Sequence, residues 1–315
     1  MSTNSHRNLV KAKNKKNDDF YTQLVDIEQE LKHYKKHFKD KVVYCNCDDP
    51  RISNFFHYFS YNFERLGLKK LITTCYKNNQ IDLFSSKDSE HAIKLEYKGD
   101  KNGNKVPDIE EIGISHLKGD GDFRSQECID ILKTADIVVT NPPFSLFREY
   151  VQQLIDFNKK FLILGNINAI TYKETFNIIK KNKLWLGYNT VRLFKQPDGS
   201  TYETARTYWY TNLDHTKRHE ELILYKKYSE LEYPKYDNYN AINVDKAAEI
   251  PMDYDGYMGV PITFLDKHNR DQFEIFGIMN TGEENKGIRY KDTPHGRPII
   301  NGKEKYLRIL IRKKK

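Results

Sequence analysis

The sequence predicts an α/β fold in which a mostly parallel sheet is closed by an antiparallel hairpin, and three observations carry that prediction. Short apolar, β-branched runs alternate with amphipathic segments of helical spacing along most of the chain. One of these runs, Ile137-Val138-Val139, halts at Asn141-Pro142-Pro143-Phe144, whose two prolines fix φ and remove two backbone donors. Later, Lys183 to Leu193 and Thr201 to Asn212 flank the turn signal Gln196-Pro197-Asp198-Gly199 and read as a long hairpin.

The elements follow in order. Met1 to Asn17 is polar and basic. Thr22 caps a helix running to about Phe38 through Leu24, Ile27, Leu31 and Tyr34. Lys41 to Asn46 is the first strand, Asp48-Asp49-Pro50 a turn, and Ser53 or Asn54 opens a helix that Gly67 ends. Leu71 to Tyr76 is a second strand. The polar stretch from Lys77 to Val106 reads as an insertion holding one hairpin with Lys101-Asn102-Gly103-Asn104 as its turn. Ile112 to Leu117 leads into Gly119-Asp120-Gly121-Asp122-Phe123, and a short helix covers Gln126 to Lys133. The strand that ends at Asn141 is followed by a helix from Ser145 to Phe157, a strand from Phe161 to Gly165 and a helix from Thr171 to Lys181. Near the end, Tyr306 to Arg312 alternates as an edge strand does, with its basic side outward.

The chain has 315 residues, is 38% hydrophobic and carries a net charge of +8, enough for one large domain or two. The expected division is a basic arm and amphipathic helix over 1–40, a catalytic domain over 41–215 and a target-recognition region over 216–315. Basic residues crowd both ends, Arg7, Lys11, Lys13, Lys15 and Lys16 at one and Arg308, Arg312, Lys313, Lys314 and Lys315 at the other. Such ends suit phosphate contacts, and equally suit solubilising tails. Cys45, Cys47, Cys75 and Cys128 form no C-x-x-C pair and read as core thiols, so no metal is expected. No apolar stretch approaches a membrane span, and a cytoplasmic, reduced protein is expected.

In parallel sheets ligands bind at the carboxyl ends of strands, and Asn141 to Phe144 stand at one. Their chemistry suits methylation of an amino group conjugated to a ring, a poor nucleophile. The Asn141 side-chain carbonyl and the Pro142 main-chain carbonyl can accept both amino hydrogens, turning the nitrogen lone pair toward an electrophilic methyl group, while Phe144 stacks on the ring. A turn that merely caps a strand would use the same residues. Asp48 with Asp49, and Asp120 with Asp122, each follow a strand and offer carboxylates to the ribose diol, adenine amino group and cationic amino acid end of S-adenosylmethionine; ordinary turn acids would look alike.

Asp18 to Gln23, Val42 to Pro50 with Ser53 to Phe56, Gly119 to Ser125, Asp136 to Phe147, Tyr236 to Val244 and Met258 to Leu265 together resemble the EcoRI-type family of adenine-specific DNA methyltransferases, in the family's order. The resemblance implies a class I, Rossmann-like methyltransferase core that uses S-adenosylmethionine to methylate adenine N6 in double-stranded DNA, with the base flipped out, in a restriction-modification system. It implies that Phe20, Tyr21 and Thr22 line the cofactor pocket, that Asn46, Asp48 and Asp49 form its first motif, and that Asp120, Asp122 and Phe123 contact the adenosine. The last hundred residues and the hairpin interleave basic and aromatic side chains, with Arg192, Lys195, Arg206, Lys217 and Arg218 as candidates for DNA contact. A cognate restriction endonuclease and a monomeric state are expected. Two rivals stand: methylation of a protein glutamine amide by the same chemistry, and a non-catalytic DNA-binding protein on a methyltransferase fold.

Overall fold

The computed structural model describes residues 21–47, 53–75, 92–104, 106–108, 110–195, 200–280, 285–291, 293 and 295–314. Phe20, Asp48, Asp49 and the Gln196 to Gly199 turn lie outside the described residues. The chain divides into two compact units, one of Met1–Ala169 with Gly187–Leu213 and one of Ile170–Leu186 with Asp214–Lys315.

The first unit is built on a nine-stranded sheet within a mixed α/β arrangement. Its parallel centre consists of β2 (Val42–Cys45), β3 (Lys70–Thr74), β6 (Ile137–Thr140) and β7 (Lys160–Asn166), with β2 paired to both β3 and β6, and β6 to β7. β2 and β6 are buried at every position, as apolar strands covered on both faces must be. Beyond β3, β4 (Ile93–Tyr97) and β5 (Ile112–His116) add antiparallel strands, so the expected insertion hairpin extends the sheet. On the other side β9 (Thr201–Thr211) runs antiparallel to β7, and β8 (Trp185–Lys195) lies next to it.

Helices cover the centre because local sequence starts and stops them. Ser53 accepts from the Phe55 N–H at 3.3 Å to open α2 (Asn54–Tyr61), and after α3 (Phe63–Leu66) Gly67 takes φ 64° to close. Ser125 does the same for α4 (Gln126–Thr134). α5 (Phe147–Asp156) buries Phe147, Tyr150, Val151 and Leu154 on one face. Its ring at Phe147 fills the space over Gly165 in β7, where an added Cβ would meet Phe147 Cε2 at 2.4 Å.

Three expectations need correction. The helix expected from Thr22 to Phe38 is instead a two-residue strand, β1 (Tyr21–Thr22), then α1 (Leu24–Leu31) and a single turn at Lys35–His37. Thr22 does not cap it, because pairing with Phe194 of β8 holds Thr22 extended. The helix after the Asn-Pro-Pro turn starts at Phe147, preceded by a 3₁₀ turn at Phe144–Leu146. The carboxyl-terminal strand, β15 (Arg308–Lys313), is central and not an edge: β11 (Met258–Pro261) and β12 (Phe273–Ile278) pair with it on either side. Ile309, Leu310 and Ile311 are all buried, so an apolar run at its centre, and not the alternation, decided its place.

β15 belongs to the second unit, whose four-stranded sheet runs β10 (Ile242–Asn243), β11, β15, β12, while β13 (Ile299–Ile300) and β14 (Lys303–Glu304) pair as a separate antiparallel ribbon. α6 (Lys173–Lys180) also belongs to this unit. Among the described residues no helix is long and apolar enough to cross a membrane.

Candidate active site

The chain leaves β2 to form β3 on one side and returns as β6 on the other, so the carboxyl ends of β2 and β6 flank the point where the sheet order reverses. A crevice at such a point is where open α/β sheets take ligands. The two strand ends are tied directly: the Thr140 hydroxyl donates to the Asn46 carbonyl, and the Tyr150 hydroxyl, brought by α5, donates to Asn46 Oδ1. Tyr150 is fully buried, and burial pushes its hydroxyl far above the usual range, so it is a permanent donor. Asn46 is thus held on two sides.

Asn141 and Pro142 are buried and Pro143 and Phe144 half-buried. The turn is closed by the Leu146 N–H donating to the Pro143 carbonyl at 3.0 Å. Phe144 rests edge-on against Phe194, with centroids 6.3 Å apart and planes at 84°. Phe194 in turn faces Thr22 in the β1–β8 register, and Asn54 at the start of α2 donates through Nδ2 to the Thr22 carbonyl at 2.7 Å. Strand β1 is thereby brought beside the Asn-Pro-Pro-Phe turn. The Thr22 hydroxyl is buried and, among the described residues, has no hydrogen-bond partner, an arrangement that costs about 1–3 kcal/mol.

The Gly119 to Phe123 loop packs against the end of β3. Gly121 has φ 78°, and a Cβ there would stand 2.0 Å from the Cys75 carbonyl oxygen, so only glycine permits the approach. Glu127 of α4 receives the Lys118 and Gly119 N–H groups at 2.9 and 3.2 Å, and Asp120 receives that of Asp122 at 3.0 Å. Asp122 is gripped by Arg124, whose Nε and Nη2 reach its two oxygens at 2.9 and 2.7 Å and whose Nη1 reaches Glu149 at 3.2 Å. That guanidinium holds the Asp122 carboxyl below the usual carboxylate range. Phe123 is buried edge-on against Tyr150, with centroids 5.0 Å apart.

One end of the parallel sheet therefore gathers Thr22, Asn46, Asn141 to Phe144, Asp120, Asp122 and Phe123. A buried, unsatisfied hydroxyl, a glycine cradle and exposed Asp120 fit a methyl donor bearing an adenosine and a charged amino acid end. The candidate DNA contacts are divided. Arg192, Lys195 and Arg206 are exposed on β8 and β9 of the first unit. Lys217 and Arg218 belong to the second, where Lys217 pairs with Asp266 at 2.7 Å and Arg218 lies 3.5 Å over the Trp185 ring and donates to Asn182. The sequence reading gave Asn54 only as a possible helix start and assigned no site role to Tyr150, Phe194, Arg124 or Glu127. Only Arg124 had a signal there, a cation two residues from Asp122; the others act across chain separations that no local pattern encodes.

A crevice at a strand switch point with an Asn-Pro-Pro-aromatic turn on the neighbouring strand is the arrangement expected of an amino-methylating α/β enzyme. This chain belongs to the EcoRI family of adenine-specific methyltransferases, whose description, "Adenine-specific methyltransferase EcoRI", matches residues 8–314. It is 50% identical to the type II methyltransferase M.EcoRI of Escherichia coli, across 100% of this chain and 99% of the relative. It is 37% identical to the type II methyltransferase M.MgeORF184P of Mycoplasma genitalium and 36% identical to M.MpnI of Mycoplasma pneumoniae, each across 96% of this chain. No solved structure matches the chain.

Proposed function

We propose that the protein is a site-specific DNA methyltransferase that transfers a methyl group from S-adenosylmethionine to adenine N6 in duplex DNA, within a restriction-modification system. The observation that carries this reading is the Asn141 to Phe144 turn, fixed at the carboxyl end of β6 beside Asn46 and β1. When bound, the cofactor supplies an electrophilic methyl group. Asn141 Oδ1 and the Pro142 carbonyl accept the two N6 hydrogens and so turn the lone pair out of the ring plane, and Phe144, backed by Phe194, stacks on the base. A base must leave the duplex to reach such a turn, and unstacking costs only a few kcal/mol. Thr22 and Tyr21 close the cofactor side, Gly121 lets the backbone approach, and Asp120, Asp122 and Phe123 contact the adenosine.

In this reading β8 and β9 form the antiparallel hairpin that closes a class I core, and the second unit with the exposed cations of β8 and β9 reads the target. A DNA substrate implies the cytoplasm, a cognate endonuclease acting on the same site is the expected partner, and one strand at a time suits a monomer. The test is transfer of labelled methyl from S-adenosylmethionine to unmethylated genomic DNA, followed by nucleoside digestion, with Asn141→Ala in parallel. Labelled N6-methyladenine that vanishes in the variant is expected. Label in protein, or in neither, would overturn the reading.

A further inference from the structure

The opposite end of the parallel sheet carries a feature that the proposed reaction does not use. Residues 32–41 read Lys-His-Tyr-Lys-Lys-His-Phe-Lys-Asp-Lys; Tyr34 and Phe38 are fully buried, which leaves Lys35, Lys36, Lys39 and Lys41 on the surface. The starts of β2, β6 and β7 meet there, and Lys41, Asp136, Lys159 and Lys160 line an open cavity of about 400 Å³ with His37 and Asn158. Its one lining carboxylate, Asp136, already accepts from the Val42 N–H at 2.8 Å. Lys159 turns its Nζ inward to the carbonyls of Lys133 and Ala135 at 2.9 and 2.7 Å, closing α4. Among the described residues the ion pairs made by lysines leave out Lys35, Lys36, Lys39, Lys41 and Lys160.

A lone run of lysines is ordinarily a solvated face. Here two segments far apart in the chain, 35–41 and 159–160, bring lysines to one concavity in excess over the Asp136 carboxylate, which focuses the field and attracts a polyanion. We propose that this cavity and its lysine rim bind the phosphate backbone of a second DNA duplex, distinct from the one whose base enters the active site. The choice of DNA rests on the methyltransferase reading. Asp136 lines the cavity and Asn141 stands five residues on, at the far end of β6, about 17 Å away at roughly 3.3 Å per residue. Lysines on flexible stems neutralise phosphates without selecting bases, so the surface takes any sequence. An enzyme that holds two segments can pass directly from one to the other while searching for sites.

The test uses the full chain and a short duplex of poly(dG)·poly(dC), which contains no adenine. Sedimentation with excess duplex is expected to show two duplexes per wild-type enzyme and one for the fourfold variant Lys35→Gln, Lys36→Gln, Lys41→Gln, Lys160→Gln. Four lost phosphate contacts should make the slope of log affinity against log salt shallower by about 3–4. Methyl transfer by the variant to a short substrate duplex should match wild type, which also reports correct folding. One duplex per wild-type enzyme, an unchanged salt slope, or methyl transfer falling in parallel with binding would overturn the proposal. Two bound duplexes and the shallower slope without methylation by the wild type would support it and sink the enzymatic reading instead.

Discussion

The two units satisfy their buried backbone by different means. In the first, main-chain groups pair strand to strand through β2, β3, β6 and β7 over an aliphatic and aromatic core. In the second, buried amides and tyrosine hydroxyls do much of that work. Asn238 receives the Ile299 N–H at 2.9 Å and donates to the Arg297 carbonyl at 2.8 Å, Asn285 donates to the Ile278 carbonyl at 2.6 Å, and Asn269 reaches the His219 carbonyl at 3.2 Å. Tyr236 donates to Asn243 Oδ1 at 2.8 Å. Ladders of hydrogen bonds are repetitive and leave a repetitive apolar pattern in the sequence, whereas a side chain that satisfies a loop tens of residues away leaves none. Such side-chain bonds occur in the first unit too, where Glu30 receives the Tyr188 and Asn189 N–H groups and Asn212 that of Phe161, so the contrast is one of emphasis.

The largest effect that would sharpen this contrast is at the crevice. Asn141→Ala should lower single-turnover methyl transfer roughly 100- to 1000-fold, as loss of one fixed transition-state hydrogen bond does, with DNA affinity and melting temperature near wild type. A single-turnover rate within a factor of two of wild type would remove Asn141 from the chemistry. In the second unit, Asn285→Ala strips the Ile278 and Asn280 carbonyls of a buried partner and should cost about 2–3 kcal/mol, read by denaturant unfolding. In the first, Gly165→Ala drives a methyl into Phe147 and should cost about 1–3 kcal/mol by overpacking. If Asn285→Ala were neutral, the contrast between the units would fail.

Acid should separate the units by sign. Burial holds His215 and His268 of the second unit down to about 4, so in the window between the ordinary histidine range and that value the unfolded chain binds more protons than the folded one. Stability of the second unit therefore falls as pH drops through that window. In the first unit burial raises Glu30, against the opposing hydrogen bonds of the Tyr188 and Asn189 N–H groups at 2.7 Å, so its folded form takes up a proton sooner than the unfolded chain and gains as pH falls. Hydrogen exchange at neutral pH and at pH about 5, corrected for intrinsic rates, should show protection lost in β11, β12 and β15 and kept in β2 and β6. Equal loss in both units would break the distinction.

The smallest effect is at Arg124. Because the guanidinium is half exposed, Arg124→Ala should change stability by less than about 1 kcal/mol. It should still raise the Asp122 carboxyl toward the ordinary range, so that S-adenosylmethionine binding, followed by calorimetry, weakens at a higher pH on acidification than in wild type. An unshifted acid limb would mean that Asp122 does not contact the cofactor.

Read alone, the sequence determined the order of strands and helices in the first unit from β2 onward, the turn at Asn141 to Phe144 and the loop at Gly119 to Phe123, because apolar periodicity, proline and glycine act within a few residues of themselves. It also carried the family, through long segments in fixed order. Only the tertiary structure decided that Thr22 is a strand residue beside Phe194, that β15 is a central strand, and that Asn46 is held by Thr140 and Tyr150. Those outcomes depend on partners some thirty to more than a hundred and seventy residues away, and a hydrogen bond or a strand pairing at that separation is fixed by how the elements pack, which no short window of sequence contains.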